Sequence, residues 1–183
     1  MSKRILVPMA EGFEEIELVT IVDVMRRAEL EVVTAGLSPN PVLGSRKISM
    51  IADQSFDEID AESFDAIVLP GGLGGTLAMV ENADVISAIQ SMRSSGRLVA
   101  AICAAPIVLA AADVVGQAEI TCHPAVTDRL PNHDLRTDTR VLHSDGLITS
   151  RGPGTAMEFA LALVGELCGQ EKRAALAAEM LVI

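Results

Sequence analysis

The sequence predicts an α/β sandwich on a mostly parallel sheet. Short runs rich in branched apolar residues recur at Arg4–Met9, Glu31–Ala35, Asp65–Leu69 and Leu98–Ile102, of strand length and apolar enough for burial on both faces. Stretches with helical spacing of apolar residues, such as those near Ile16–Arg26 and over Asp84–Ser94, alternate with them. Gly or Pro punctuates the joins, notably Gly12, Gly36, Pro70-Gly71-Gly72 and Gly96. Strand, helix and strand in succession make βαβ units, whose strands run parallel.

Taken in order, Arg4–Met9 is a strand ending near Gly12. It feeds a helix on which Ile16, Val19, Val22 and Met25 form one apolar face. Glu31–Ala35 is the second strand. Pro39, Asn40, Pro41 and Gly44 mark a loop, with an edge strand at Arg46–Ile51. Asp65–Leu69 stops at Pro70-Gly71-Gly72, Gly74-Gly75 prolongs the turn, and a helix covers Asp84–Ser94. After Leu98–Ile102, Pro106 suits the first position of a helix over Ile107–Ala112. A small strand at Glu119–Thr121 and an irregular stretch through Pro131 come next. Thr139–His143 and Leu147–Ser150 pair around Ser144-Asp145-Gly146, a hairpin signal. Thr155 and Glu158 have capping-box spacing at the start of a helix over Ala156–Leu167, and a last helix spans Glu171–Met180.

Composition narrows the function. The 183 residues suit one domain over 1–183, with half of them apolar and therefore enough to fill a core. A net charge of -11, with no basic run, disfavours nucleic acid and anionic membrane as partners. Four Phe without Trp or Tyr leave no platform for base stacking. The first apolar run meets Glu11, Glu14 and Glu15 too early for a signal peptide, and three cysteines without a spaced framework suit a reducing compartment; both point to the cytoplasm. No H-E-x-x-H or paired C-x-x-C occurs, so no metal and no cofactor is expected.

The chemistry gathers where strands end, because open parallel sheets build their sites there. Cys103 sits in the turn between an apolar strand and a helix. Backbone N–H groups and a helix N-terminus would favour its thiolate, whereas a cysteine packed as a small hydrophobe would be inert. Gly71 and Gly72 fit an oxyanion hole or a plain tight turn. Glu14 and Glu17 share a helical face, so spacing does not choose between them. A glutamate that helps the thiolate must be protonated and hence buried, since an ionised one would raise the thiol pKa. His123, between Cys122 and Pro124, is the candidate general base or else a structural histidine. Cys168, late in a helix, is expected in the core.

Four motifs in order, Glu17 after the first strand, Pro70-Gly71-Gly72, Ala101-Ile102-Cys103-Ala104-Ala105-Pro106 and Thr149-Ser150-Arg151-Gly152-Pro153-Gly154-Thr155, resemble the DJ-one/PfpI (ThiJ) superfamily. The chain is most similar to its bacterial DJ-one-like branch. The likeness runs end to end and includes Val22-Asp23-Val24-Met25-Arg26-Arg27-Ala28 and Ser45-Arg46. It implies a flavodoxin-like three-layer sandwich that forms a homodimer. Cys103 would then be an easily oxidised nucleophile, Glu17 its protonated partner, and Gly71, Gly72 and Ala104 the sources of backbone N–H groups. His123 matches a nearby histidine, and Arg46 with Arg27 match arginines near the pocket across the dimer.

The resemblance implies activities against reactive carbonyls: glutathione-independent conversion of methylglyoxal to lactate, or repair of its adducts. A redox sensor or chaperone, with Cys103 oxidised to a sulfinate, uses the same thiol. An isocyanide-hydratase-like or amidase/peptidase-like hydrolase would keep the nucleophile and change the substrate. Two departures weigh against the hydrolases. Ala104 stands where the protease-like branch has His, and neither His133-Asp134-Leu135 nor His143-Ser144-Asp145 supplies the His-x-Glu of related amidotransferases.

Overall fold

The computed structural model describes residues 2–182. Its strands are β1 (Arg4–Met9), β2 (Glu31–Gly36), β3 (Val42–Leu43), β4 (Ser49–Met50), β5 (Gln54–Ser55), β6 (Ala66–Leu69), β7 (Leu98–Ile102), β8 (Val141–Ser144) and β9 (Leu147–Ser150). Its helices are α1 (Glu15–Arg27), α2 (Leu73–Glu81), α3 (Ala83–Ser94), α4 (Pro106–Ala111), α5 (Ala156–Cys168) and α6 (Gln170–Glu179).

Seven strands form one sheet in the order β5-β2-β1-β6-β7-β9-β8. Only β8 runs against its neighbour. The five central strands have the chain order 2-1-3-4-5 of flavodoxin-like sheets, whose direction of winding reverses between β1 and β6. Alternation along each strand sends side chains to opposite faces. Ile5, Val7 and Met9 pack with Leu18, Ile21, Met25, Phe159 and Leu163 on the α1, α5 and α6 side. Leu6, Ile67, Leu69, Val99 and Ala101 pack with Met79, Ile89, Met92 and Leu109 on the α2, α3 and α4 side. The mostly parallel three-layer sandwich expected from the sequence is the architecture found.

Several local expectations are corrected. On α1 the sheet takes Leu18, Ile21, Val24 and Met25, while Ile16 and Val19 remain 57% and 47% exposed, because this helix is apolar on two sides. The edge strand expected at Arg46–Ile51 shrinks to the β3–β4 hairpin, since the Arg46 and Ile48 amides donate to the Glu15 carboxylate. Gly74 and Gly75 lie inside α2 and do not prolong the turn: their bare faces let the helix pass against Gly12 and Phe13, where a Cβ on Gly75 would stand 3.0 Å from the Phe13 nitrogen. Glu119–Thr121 makes one bridge, Ile120 to Leu135, because the flanking amides of Glu119 and Thr121 donate to the Ser144 and Thr149 hydroxyls.

The β8–β9 hairpin turns at Asp145 and Gly146, both at positive φ, as its sequence signal requires. The expected Thr155–Glu158 capping box is absent. The Thr155 hydroxyl meets Gly152 and Ser150, and Glu158 pairs with Arg140. Cys168 is exposed on the last turn of α5, not core. Among the described residues no helix is long and apolar enough to cross a membrane, and no cluster of His, Cys, Asp and Glu is arranged to hold a metal.

Candidate active site

Parallel pairing puts the carboxyl ends of β1, β6 and β7 side by side. The turns leaving these three strands meet in one cleft. After Ile102 the chain turns sharply at Cys103, whose φ of 65° lies in the left-handed region that costs a non-glycine residue about 1–2 kcal/mol. The turn is clamped on both sides: Cys103 N–H donates to the Ser150 carbonyl at 2.9 Å, and His123 N–H donates to the Cys103 carbonyl at 2.8 Å. Pro106 opens α4 as expected.

Of the two glutamates that spacing leaves level, Glu17 goes to the cysteine. Glu14 caps α1, its Oε2 accepting from the Glu17 N–H at 2.8 Å, while the Glu17 side chain is fully buried at the start of the same helix. Glu17 Oε2 accepts from Gly71 N–H at 2.8 Å. The carboxyl lies beside the Cys103 side chain, both within 2.6 Å of where a Cβ on Gly71 would stand, so that each shifts the titration of the other. Among the described residues no hydrogen-bond donor reaches Oε1. Burial pushes the Glu17 carboxyl up to about 7, against the pull of the Gly71 N–H and of the Cys103 contact.

The same burial pushes the Cys103 thiol up to about 12, helped by the negative charge of the neighbouring Glu17. Only the Gly72 and Ala104 N–H groups draw it down. The expectation that the turn alone favours a thiolate is therefore corrected. Desolvation outweighs two amides, and the thiol and carboxyl titrate as a pair in which a thiolate exists when Glu17 keeps the proton.

Gly71 is corrected as well. Its N–H is taken by Glu17, so the N–H groups that face the sulfur are those of Gly72 and Ala104. Gly71 must still be glycine, because a Cβ there would lie 2.6 Å from both the Cys103 Cβ and Glu17 Oε2. A cavity of about 420 Å³ opens in front of Cys103, walled by Glu14, Ser45, Arg46, Gly72 and His123 among others.

His123 stands at the pocket, but its Nδ1 accepts from Ala125 N–H at 3.1 Å and caps a short helical turn. In the neutral ring the hydrogen then sits on Nε2, which makes His123 a donor in place of the expected base. Arg46 lines the cavity. Arg27 does not line it within its own chain; it closes α1, with Nε 2.9 Å from Asp23 Oδ2.

Sequence reasoning misses Glu15 as a determinant of the site. It is buried and accepts from Ser45 Oγ, Arg46 N–H and Ile48 N–H, tying down the loop that carries Ser45 and Arg46 to the pocket. Burial would raise its pKa, but these bonds hold the carboxyl below its ordinary range. Its one sequence signal is position, beside Glu14 just past the first strand. Tertiary donors, which periodicity does not reveal, single it out.

Known proteins resemble this chain along its whole length. The chain is 44% identical over 184 residues to Protein dj-1beta of Drosophila melanogaster, covering 100% of this chain and 98% of that protein. It is 38% identical to the Glutathione-independent glyoxalase DJR-1.2 of Caenorhabditis elegans, covering 93% and 91% of the two chains. The crystal structure of Drosophila melanogaster DJ-1beta superposes over the whole of both chains with a TM-score of 0.96 at 44% identity. A structure described as Toxoplasma gondii DJ-1, oxidized, gives a TM-score of 0.93 at 35% identity, covering 98% of each chain. The model of the DJ-1/PfpI family matches residues 3–166, a span that takes in Glu17, the glycine turn and the strained cysteine together, and the chain belongs to that family.

Proposed function

We propose that this chain is a cysteine-dependent, cofactor-free protein of stress protection. It turns methylglyoxal-type 2-oxoaldehydes into 2-hydroxy acids without glutathione. The observation that carries this reading is the buried Glu17 carboxyl against the Cys103 thiol, at the floor of an open cavity.

The reaction needs no oxidant. The Cys103 thiolate adds to the aldehyde carbon; the S–C bond forms, the C=O electron pair moves to oxygen, and that oxygen takes the proton held by Glu17. Gly72 and Ala104 N–H groups meet the developing charge. Glu17, now ionised, takes the proton of the former aldehyde carbon and gives it to the neighbouring carbonyl oxygen, forming the enediol; the proton on the first oxygen then passes by way of Glu17 to the second carbon, and a thioester of the hydroxy acid results. Water cleaves the thioester and returns the thiol. Methylglyoxal plus water thus becomes lactate with no net redox change.

Support comes also from a relative of similar length whose name is that of a glutathione-independent glyoxalase. A second reading rests on the same pair. Peroxide oxidation of Cys103 to a sulfinate would place an anion where the Gly72 and Ala104 amides and a protonated Glu17 can hold it. The chain works in this reading as a homodimer in a reducing compartment.

The test is lactate formed from methylglyoxal without glutathione, by the wild-type protein beside Cys103→Ala and Glu17→Ala. Turnover that both substitutions remove is expected. No turnover above the Cys103→Ala background would overturn the enzyme reading and leave the sensor.

A further inference from the structure

A second cavity, of about 290 Å³, adjoins the first and shares His123 and Pro153 with it. Gly152 stands at the join. A Cβ there would lie 4.0 Å from the Cys103 sulfur and 3.2 Å from the His123 ring, so this wall of the second cavity stands close to the sulfur.

The walls of this annex hold two arginines in different states. Arg140 is already paired: Nε meets both Glu158 carboxylate oxygens at 2.9 and 2.8 Å, and Nη2 donates to the Gly154 carbonyl at 2.8 Å. Its charge is neutralised, and it braces the Gly152–Thr155 wall. Arg151 has no such partner. Among the described residues it joins no ion pair, although Asp and Glu outnumber Lys and Arg by 25 to 14, and its Nε is buried without an acceptor. A charged donor buried without an acceptor is destabilising, and an acceptor brought from outside would relieve it. A guanidinium fork suits a carboxylate or phosphate.

We propose that Arg151 heads an oxyanion subsite, which takes a carboxylate or phosphate borne by the molecule that Cys103 attacks. It rests on the reading of Cys103 as a nucleophile and narrows the substrates to carbonyl compounds with an acidic group, or to reactions whose product is an acid.

Charge-selective alkylation tests this without any turnover. Wild-type protein, Arg151→Gln and Arg151→Lys are treated with iodoacetate and with iodoacetamide, and modification of the Cys103 peptide is followed by mass spectrometry. In each case sulfur replaces iodide on carbon; the two reagents differ in whether they carry a carboxylate. The ratio of iodoacetate to iodoacetamide rates is expected to fall about tenfold in Arg151→Gln, the scale of one charge-assisted hydrogen bond, and less in Arg151→Lys. An unchanged ratio, or two rates that change together, would overturn the subsite.

A second measurement needs no variant. On the wild type, acetate or inorganic phosphate is expected to shield Cys103 from iodoacetamide where acetamide does not. Protection by acetate alone assigns the site to carboxylates, by phosphate alone to phosphates, and by neither contradicts the proposal. Loss of the glyoxalase reading would show as absent lactate with the effect of Arg151 on the alkylation ratio intact.

Discussion

Two carboxyl groups two residues apart on α1 are expected to respond to pH in opposite senses. Glu17 has a folded pKa raised from 4.5 to about 7, so the folded state holds its proton more tightly. Its favourable contribution is complete below the unfolded pKa and lost as pH rises through the folded one, a swing of about 3 kcal/mol between pH 4.5 and pH 8. Glu17→Gln keeps an acceptor for Gly71 and removes the charge. The variant should gain on wild type across that window when urea midpoints are compared at pH 5 and pH 8. Glu15 has its pKa lowered, so its contribution is present above the ordinary carboxyl range and disappears as pH falls through its folded value. Glu15→Gln should lose about 1–3 kcal/mol at pH 7 by leaving buried donors of the Ser45–Ile48 loop poorly matched, and the deficit should shrink in acid. Cys103 is legible in the sequence because a strand, one nucleophile and Pro106 succeed one another in the chain. The distinct work of Glu14, Glu15 and Glu17 is not, because Glu15 and Glu17 each depend on a donor that folding brings from another segment: Gly71 lies 54 positions from Glu17, and Arg46 lies 31 from Glu15.

At the scale of elements, the buried strands β1, β2, β6 and β7 are readable from apolar runs alone, and α3 from its period. Structure built on glycine and on side-chain acceptors escapes that reading. The Gly74-Gly75 pair has the composition of a turn, yet it serves as the flat face by which α2 lies on Gly12 and Phe13. Gly72 is the true hinge, with φ of 89° and a Cβ position only 2.7 Å from the Glu14 nitrogen and the Phe13 carbonyl carbon. Gly72→Ala should therefore cost about 1–3 kcal/mol in a urea melt through strain and overpacking. It should also slow alkylation of Cys103, since the turn carries one of the two amides that face the sulfur. A variant as stable and as reactive as wild type would show that the β6–α2 turn does not shape the site.

For the whole molecule, the sandwich buries both faces of its central strands and leaves several large apolar side chains uncovered. Ile16 and Val19 on α1 stand 57% and 47% exposed, and Ile48 and Ile51 by the β3–β4 hairpin 56% and 76%. Glu15 ties the hairpin loop to α1, so the two elements present a common face. In a protein so acidic, exposure of this kind is what an interface would present. A second copy of the chain is the occupant we propose. Sedimentation should give a dimer for the wild type and a monomer for the pair Ile16→Lys with Ile51→Lys; a monomeric wild type would contradict it. Such a face also hides the correct side of α1 from sequence reading, because a helix apolar on two sides satisfies the period of either.

The proposed chemistry requires Cys103 and Glu17 to act as one acid holding a shared proton. The most direct measurement is the rate of Cys103 alkylation by iodoacetamide against pH, for wild type and Glu17→Gln. The wild-type profile should show a step at about pH 7, where the Glu17 carboxyl beside the sulfur gives up its proton, and that step should vanish in Glu17→Gln. A rise near pH 7 that survives in Glu17→Gln would mean that the thiol titrates without the carboxyl, and the paired reading of the site would fall.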